Sequence, residues 1–421
     1  MKITKLQIDS FRGIKNLELH FETDSPTVLI GTNGSGKSSI LECLSILLSW
    51  FTARIQNPQS SGRSFQETDI KNYEVRTQNT ITVDFCNSQG VEWSVFGVKK
   101  EYSRVLYIDD SFVVDVELKQ IIDKIHSSVK GENLSLPVVV YYPTNRAVLD
   151  ISLKMENKPY LAQIETDEED LTGGKIDFRR FFEWFQHRGD LENERKFNHD
   201  QSYRDPQLKA VRKSYEVFFM NEFSNLRVQD SPLRMTLDKN GKELIINQLS
   251  DGEKCLLAVV GDLARRLAIA NPNLSEPLEG EGVILIDEIE LHLHPKWQQK
   301  IIPALTQTFP NCQFIVTTHS PLVISHVDWV HLLCVTPNDI IVERLRSYGK
   351  DSNRILETLM DSSERPVEIQ QDFLKLFRLI DSDQLEEAKR SLQQLRDKLG
   401  EEDPKFVRAD GLIRRKEILK S

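Results

Sequence analysis

The segment GTNGSGKS at residues 31–38 constrains the fold of this chain more than any other feature. A short aliphatic run, TVLI at 27–30, precedes it, and a largely apolar helical segment, SILECLSILL at 39–48, follows it. In this order of strand, glycine loop and helix, successive N–H groups and the positive end of a helix face a phosphate. The segment therefore predicts a site for a nucleoside triphosphate, with Lys37 as a point charge and the Ser38 hydroxyl as a ligand for magnesium (Mg²⁺).

Two further segments place reactive side chains at the ends of apolar strands. Asp287 and Glu288 follow VILI at 283–286, and His319 follows QFIVTT at 313–318. Adjacent carboxylates in such a place are unfavourable unless a metal ion or a lysine neutralises them. We expect Asp287 to assist Mg²⁺ and Glu288 to deprotonate an attacking water. His319 can reach a terminal phosphate oxygen, although a lone histidine also serves as a helix cap or a core hydrogen-bonder.

A second anion-binding pattern lies far from the first. The run LSDGEK at 249–254 precedes a helix that we predict from Gly252 to Ala270. The hydroxyl of Ser250 and the N–H of Gly252 would stand at the positive end of that helix, without a lysine of the phosphate-loop type. One nucleotide does not require two such sites within one chain.

The net charge and the cysteine pattern limit the kinds of partner and the compartment that we expect for this chain. The formal charge is −10 and the hydrophobic content is 39%. The charge argues against binding nucleic acid through the overall surface potential, so any DNA contact must be local or supplied by a partner. The cysteines, five in number, are widely spaced without a C-x-x-C pair, as in reduced, buried thiols. We expect a cytoplasmic protein, with no signal peptide and no apolar run long enough to span a membrane.

The pattern of apolar, charged and aromatic residues along the chain predicts an α/β protein in four parts. Residues 1–149 form a lobe in which two edge strands precede the phosphate loop, and 233–349 form a second lobe with the carboxylate pair and His319. Between them, 150–232 is charged and aromatic and predicts a helical insertion. Residues 350–421 predict a tail of three helices, whose starts are marked by Asp351, Pro366 and Pro404.

Together these motifs resemble the ABC-type ATPases. The opening KLQIDSFRGIKN at 5–16, the run DEIELHLHP at 287–295 and THSP at 318–321 are similar to the RecF, SMC and OLD-like branch of that class. Ile289 stands where this branch usually has proline. The resemblance implies an ABC-type ATPase head, with a mixed sheet lobe and a parallel core around the phosphate loop, to which the helical arm and the helical tail are added. It covers residues 1–130 and 236–345.

The resemblance also implies roles for individual residues. Lys37, Glu288 and His319 would act in catalysis, and Ser38 and Asp287 would hold Mg²⁺. Ser250 and Gly252, in the signature loop, would act in trans on the nucleotide of another subunit. No glutamine is clearly the usual Mg²⁺ ligand after the first helix, and Gln66 is the candidate. His292 and His294 are better explained by the family motif than by a metal site. The residues expected to contact ATP are Arg12, Asn33, Gly34, Ser35, Gly36, Lys37, Ser38, Ser39, Ser250 and Gly252.

The branch implied by these motifs contains stand-alone ATPases of anti-phage systems, namely PtuA of Septu and the retron-associated ATPases, which accompany an HNH endonuclease. We therefore expect an ATPase that forms a homodimer through its ATP sites, with a higher oligomer left open, and that controls a separately encoded nuclease. DNA, or a retron RNA–DNA hybrid, would be contacted through that complex. Two alternatives remain: a RecF-like clamp that binds DNA directly, and a PARIS-type scaffold that restrains a Toprim effector.

Overall fold

A computed structural model describes residues 1–85, 88–101, 111–129, 135–144, 178–198, 200–230, 233–336, 339–360 and 365–420. The chain divides into two compact units, Met1–Ile355 and Leu356–Ser421. Helix α9 (Ser352–Leu359) spans the division. At the predicted boundaries, residues 149, 150 and 232 lie outside the described ranges, as does Cys86, whereas residue 233 is the first of a described strand, Leu233–Lys239.

The first sheet is antiparallel and has five strands in the order β2-β1-β4-β5-β6. Its strands are β1 (Lys2–Phe11), β2 (Ile14–His20), β4 (Arg76–Phe85), β5 (Ser88–Val98) and β6 (Ser111–Val114). Strands β4 and β5 pair antiparallel, with Ile81 opposite Trp93. The expectation that β1 is an edge strand is wrong, because β1 pairs with β2 on one side and with β4 on the other. The second partner follows about 70 residues later, so no local pattern reveals it.

The second sheet has six strands in the order β14-β13-β3-β12-β11-β7 and carries the candidate site. Its strands are β3 (Thr27–Gly31), β7 (Val138–Tyr142), β11 (Gly282–Ile286), β12 (Cys312–Thr317), β13 (Trp329–Val335) and β14 (Ile340–Arg346). All neighbours are parallel except β13 and β14. Strands β3, β7, β11 and β12 are buried throughout, as expected for a parallel sheet that is covered on both faces. The carboxyl ends of β3, β11 and β12 therefore lie at one edge.

Helix α1 (Lys37–Gln56) follows the phosphate loop and lies in the main core. By length and composition alone it could cross a membrane, so the expectation that no apolar run is long enough is wrong. Burial explains this composition, because 78% of the apolar window is enclosed by the rest of the unit. Among the described residues α1 is the one helix that meets this criterion, and it has the burial of a core helix.

Helix α5 (Asp251–Ala270) begins one residue before its predicted start. Helices α3 (Phe178–Asn198) and α4 (Pro206–Phe218) pack on α5, and the Tyr215 hydroxyl donates to the carbonyl of Leu257 at 2.9 Å. Gly261 permits this packing, because a Cβ there would lie 2.1 Å from the Tyr215 oxygen. The aromatic side chains of Phe181 and Phe185 are buried within this unit. The other elements are α2 (Val116–Val129), α6 (Pro295–Gln298), α7 (Ile301–Thr308), α8 (Pro321–Ile324) and a small antiparallel sheet of β8 (Phe223–Asp230), β9 (Leu233–Lys239) and β10 (Lys242–Ile245).

The second unit is helical and has its own apolar core. Its helices are α10 (Val367–Asp381), α11 (Leu385–Leu399) and α12 (Pro404–Lys420), with Phe373, Leu392 and Phe406 buried between them. With α9 the chain beyond residue 350 contains four described helices, where the sequence predicts three. The start of α11 was missed because Gln384, at its N-cap position, makes no capping hydrogen bond through its side chain.

Candidate active site

The loop between β3 and α1 has the geometry of a phosphate cradle. Gly34 and Gly36 have φ angles of 78° and 92°, in the left-handed region that glycine adopts most readily. Gly36 occupies the N-cap position of α1, so the helix begins at Lys37. The first N–H groups of a helix have no intrahelical acceptor and point out of its N-terminus. They therefore face the space in front of the loop.

The side chain of Lys37 lies within the curl of this loop. Its amine donates to the carbonyls of Gly31 at 3.0 Å and Thr32 at 2.9 Å, and contacts the Ser35 hydroxyl at 3.4 Å. Burial lowers the pKa of Lys37 below its ordinary value, while the charges of Asp287, Glu288 and Glu290 act in the opposite direction. These carboxylates therefore lie within electrostatic reach of the loop.

The carboxylates follow β11, the strand next to β12. Asp287 is buried, and its Oδ1 atom accepts from the hydroxyl of Ser38 at 3.1 Å and from that of Thr317 at 2.6 Å. Glu288 is partly exposed and has a φ angle of 46°, which L-residues adopt only rarely. The Glu288 N–H donates to the Thr317 hydroxyl at 2.7 Å. This bond holds the unusual backbone conformation.

His319 lies on the loop that follows β12. Its N–H donates to Oε1 of Glu290 at 2.6 Å, and the hydroxyl of the preceding Thr318 donates to Oε2 at 2.7 Å. The Ser320 hydroxyl accepts from the N–H groups of Leu322 and Val323 and so caps α8. The loop is thus fixed at both ends, and His319 is partly exposed between them.

One cavity of about 580 Å³ unites most of the predicted site. The predicted residues that line it are Asn33, Gly34, Gly36, Lys37, Ser38, Ser39, Asp287, Glu288 and His319. Ser35 is fully buried beneath the loop. Six further described residues complete the wall, and none of them is a predicted site residue: Gly13, Lys71, Val335, Thr336, Asp339 and Ile340. Gly13 belongs to the opening run at 5–16. No motif marks the other five, because folding alone brings Lys71, the end of β13 and the start of β14 beside the phosphate loop.

The structure places Arg12 outside the lining of the cavity, in a network of carboxylates. Its guanidinium donates to Glu42 at 2.7 Å and, through Nε, to Asp69 at 2.9 Å. Burial acts to lower the pKa of Arg12, but the two carboxylates outweigh it and raise that pKa. Arg12 therefore joins β1 to α1 in this conformation, and its predicted contact with ATP stays a prediction.

The signature residues also lie outside the cavity lining. Ser250 caps α5: the Glu253 N–H donates to its hydroxyl at 3.4 Å, and its own N–H donates to Glu253 at 3.0 Å. Gly252 packs against the loop after the carboxylates, where an added Cβ would lie 2.3 Å from the carbonyl oxygen of His292. Close packing alone therefore requires glycine at this position, whatever further role it has in trans.

Gln66 and His294, two residues considered as metal ligands, take part in hydrogen bonds with their own neighbours in the chain. Gln66 is exposed, lies outside the lining of the cavity, and donates its N–H to Asp69 at 2.9 Å. His294 caps the short helix α6 by accepting from the N–H of Lys296 at 3.3 Å. Among the described residues there is no group of three or more histidine, cysteine or acidic side chains placed to hold a metal ion.

The donor set fits Mg²⁺ bound together with a nucleotide. Magnesium prefers oxygen ligands and usually keeps several waters, so one or two protein oxygens plus phosphate oxygens suffice. The Ser38 hydroxyl and the Asp287 carboxylate supply such oxygens and already contact each other at 3.1 Å. Both are at the cavity that contains the phosphate loop.

A phosphate loop after one parallel strand, a carboxylate pair after a second and a histidine after the strand that lies between these two define a P-loop ATPase with an ABC-type head. Comparisons with known proteins agree. Residues 1–142 match the family described as "AAA ATPase domain". Residues 146–325 match the family described as "AAA domain, putative AbiEii toxin, Type IV TA system".

Individual relatives define the family more narrowly. The "Retron Ec83 probable ATPase" of Escherichia coli is 30% identical over 427 residues, covering 87% of this chain and 78% of the relative. The "Retron Vc95 probable ATPase" of Vibrio cholerae serotype O1 biovar El Tor is 29% identical over 433 residues, covering 91% and 83%. "Septu protein PtuA" of Bacillus thuringiensis is 24% identical over 327 residues, covering 76% and 72%.

Among solved structures, the SMC head bound to the C-winged helix domain of ScpA aligns with a TM-score of 0.49 and 16% identity, over 82% of this chain and 98% of that one. The chain belongs to the AAA-type ATPases of bacterial defence systems that include the retron ATPases and Septu PtuA. The predicted family is therefore confirmed, and with it a nucleotide-binding ATPase.

Proposed function

We propose that this protein binds and hydrolyses ATP with Mg²⁺, closes with a second copy of itself around the nucleotide, and thereby controls a separately encoded nuclease in anti-phage defence. The observation that carries the catalytic part is the shared cavity, which phosphate-loop residues line together with Asp287, Glu288 and His319. Binding the phosphates, activating a water and sensing the terminal phosphate require these three kinds of group close together.

Within the site each residue has a distinct task. Backbone N–H groups of the loop and the amine of Lys37 hold the phosphates, and the amine exchanges its present carbonyl acceptors for phosphate oxygens. The Ser38 hydroxyl and Asp287 would hold Mg²⁺, which neutralises charge on the phosphates when bound. Glu288 accepts a proton from the attacking water, and His319 donates to a terminal phosphate oxygen.

The dimer is proposed because the second anion-binding pattern is not part of the cavity wall. Ser250 and Gly252, at the N-terminus of α5, are not among the residues that line the cavity. A second copy facing the phosphate loop could supply that helix end to the terminal phosphate. Nucleotide bound between two copies stabilises only the closed dimer, so hydrolysis releases the closure.

The nuclease partner is proposed from the family. The relatives are named as two retron ATPases and as Septu protein PtuA, and the sequence resemblance implies an HNH endonuclease as the effector. The chain's charge of −10 supports a protein partner rather than duplex DNA as the direct ligand. The protein would restrain the nuclease while ATP is held and release it after a trigger.

The test is co-expression of the chain with the product of the adjacent reading frame. We expect a stable complex whose nuclease is silent with ATP, retained with Glu288→Gln and lost with Lys37→Ala. Nuclease activity of the purified chain alone would contradict the proposal. An ATP-dependent, salt-sensitive affinity of the isolated chain for duplex DNA would instead favour the RecF-like clamp, and a Toprim protein as partner would favour the PARIS-type scaffold.

A further inference from the structure

The two loops that carry Glu288 and His319 are joined by side chains to which no role has been assigned. One is Glu290, two residues after Glu288. Its carboxylate accepts from the Thr318 hydroxyl at 2.7 Å and from the His319 N–H at 2.6 Å. The backbone of the histidine is therefore held by the loop that carries the carboxylates.

The other is Thr317, the last residue of β12, which is fully buried. Its hydroxyl donates to Oδ1 of Asp287 at 2.6 Å and accepts from the Glu288 N–H at 2.7 Å. Its carbonyl accepts from the N–H of Ile289 at 3.0 Å. One residue of β12 thus contacts three consecutive residues of the other loop.

These contacts bear directly on the orientation of Glu288. A φ angle of 46° is disfavoured for a glutamate, and it persists only when the surroundings hold it. The Thr317 hydroxyl accepts from the N–H of Glu288, and the Thr317 carbonyl accepts from the N–H of Ile289, so the peptide groups on both sides of the Glu288 α-carbon are held. If the hydroxyl is removed, the hydrogen bond from the Glu288 N–H to Thr317 is lost and the backbone can relax.

We propose that Thr317 and Glu290 are positioning residues for ATP hydrolysis: Thr317 fixes the backbone of Glu288 and the carboxylate of Asp287, and Glu290 fixes the backbone of His319. The inference rests on the proposed hydrolysis of ATP. Neither residue lines the cavity, so both act through residues that do. The pairing also links the two loops, so a shift of one displaces the other.

Loss of the Thr317 hydroxyl should lower the turnover of ATP without weakening its binding. Lys37 keeps its contacts in a Thr317 variant, because it bonds to residues 31, 32 and 35 of the phosphate loop itself. We expect Thr317→Val, which preserves the shape, to lower kcat about 10- to 100-fold while the Kd for ATP changes less than about threefold. Thr317→Ser retains the hydroxyl and should stay within about threefold of the wild type in kcat.

A matched control is Thr308→Val. Thr308 is also buried, and its hydroxyl donates to the carbonyl of Ala304 at 2.7 Å within α7. This variant loses a buried threonine hydroxyl away from the cavity and should keep wild-type kcat.

Two variants of Glu290 should lower kcat to different extents. Glu290→Ala loses both acceptor oxygens and Glu290→Gln keeps one, so kcat should fall further in the alanine variant.

The experiment measures steady-state ATP hydrolysis and stoichiometric binding of a fluorescent ATP analogue for each variant, with kcat expressed per binding-competent site. This normalisation removes any loss due to misfolding. Equal kcat in Thr317→Val and the wild type, or equal defects in Thr317→Val and Thr317→Ser, would overturn the inference. A wild-type protein that binds the analogue but shows no turnover, alone or with its partner, would remove the proposed hydrolysis and the inference with it.

Discussion

The hydroxyl of Ser38 lies 3.1 Å from Oδ1 of Asp287, although the two residues are 249 positions apart in the chain. This contact joins the end of the phosphate loop to the carboxylate that follows β11. Both oxygens are of the kind that Mg²⁺ prefers, and an ion bound with ATP would replace their mutual hydrogen bond. The relationship therefore makes the phosphate loop and the carboxylate pair one site.

The first prediction concerns Lys37. Its amine now donates to loop carbonyls and is partly desolvated, so it is poised to exchange these acceptors for phosphate oxygens. Lys37→Ala should weaken ATP binding at least about tenfold, which corresponds to about 1.4 kcal/mol. Calorimetry of ATP binding checks this. Lys15→Ala, at an exposed position on β2, serves as the control and should bind as the wild type does. Equal affinities for the two variants would contradict the assignment.

The second prediction separates binding from turnover at Glu288. Glutamine preserves the shape of this side chain and cannot take a proton from water, so Glu288→Gln should lower kcat about 100- to 10000-fold. ATP affinity should remain within a few-fold, because Lys37 and the loop N–H groups are unchanged. Phosphate release and binding of an ATP analogue measure the two quantities. Glu387→Gln, at an exposed position on helix α11, is the control. Turnover retained in Glu288→Gln would require another base.

The site could be predicted from the sequence where the signal is local, or where residues at the carboxyl ends of parallel strands meet at one edge of the sheet. Asp287 and His319 each end an apolar run, and adjacent parallel strands bring such ends together, so their shared cavity could be anticipated. Likewise, the dipeptide Asn240-Gly241 is typical of tight hairpin turns, and it joins β9 to β10. In both cases the signal lies within a few residues of the feature.

The contacts that depend on strand register could not be anticipated. Ile286 lies opposite Val316 in the β11–β12 pair, which places Asp287 beside Thr317. A shift of one residue would turn the Thr317 side chain to the other face of the sheet, and no motif specifies this register. The same holds for Arg12: its partners Glu42 and Asp69 come from other segments.

The third prediction tests the action of Ser250 in trans. Ser250→Ala alone removes a helix cap and should lower the free energy of unfolding by about 1 kcal/mol. If Ser250 also serves a second copy, ATPase activity should fall much further than this loss explains. Mixing inactive Lys37→Ala with inactive Ser250→Arg should then restore activity, because a mixed dimer contains one intact composite site. Up to about a quarter of wild-type activity per dimer is expected from random pairing of equal amounts.

The outcome of the mixing experiment is decisive in either direction. No recovery in the mixture, at concentrations where the wild type is active, would contradict a composite site.

A loss of activity in Gly252→Ala would not by itself indicate a role in trans, because the added Cβ would lie 2.3 Å from the His292 carbonyl oxygen. We expect it to destabilise the fold by about 1–3 kcal/mol through this clash, as seen by chemical unfolding, even in a dilute monomer.

The last prediction concerns Asp262, which anchors helix α5 to β7. Its carboxylate accepts from the Tyr142 hydroxyl at 2.9 Å, from Arg265 at 2.9 Å and from Arg266 at 2.7 Å. Burial acts to raise the pKa of Asp262, but Arg266 and Arg265 outweigh it and lower that pKa to about 2 from 3.8. Asp262→Asn should lower the free energy of unfolding by about 3 kcal/mol at pH 7, because it leaves two arginines without their carboxylate.

The pH dependence of this effect follows from the sign of the shift. Since the pKa of Asp262 is lower in the folded state, its stabilisation is present above about pH 4 and is lost as the pH falls toward 2. Asparagine does not titrate, so the difference in stability between the wild type and the variant should narrow over this range. Urea unfolding of both proteins at pH 7, 4 and 3 measures it. A difference that stays constant down to pH 3 would show that the charge of Asp262 is not what holds α5 against the sheet.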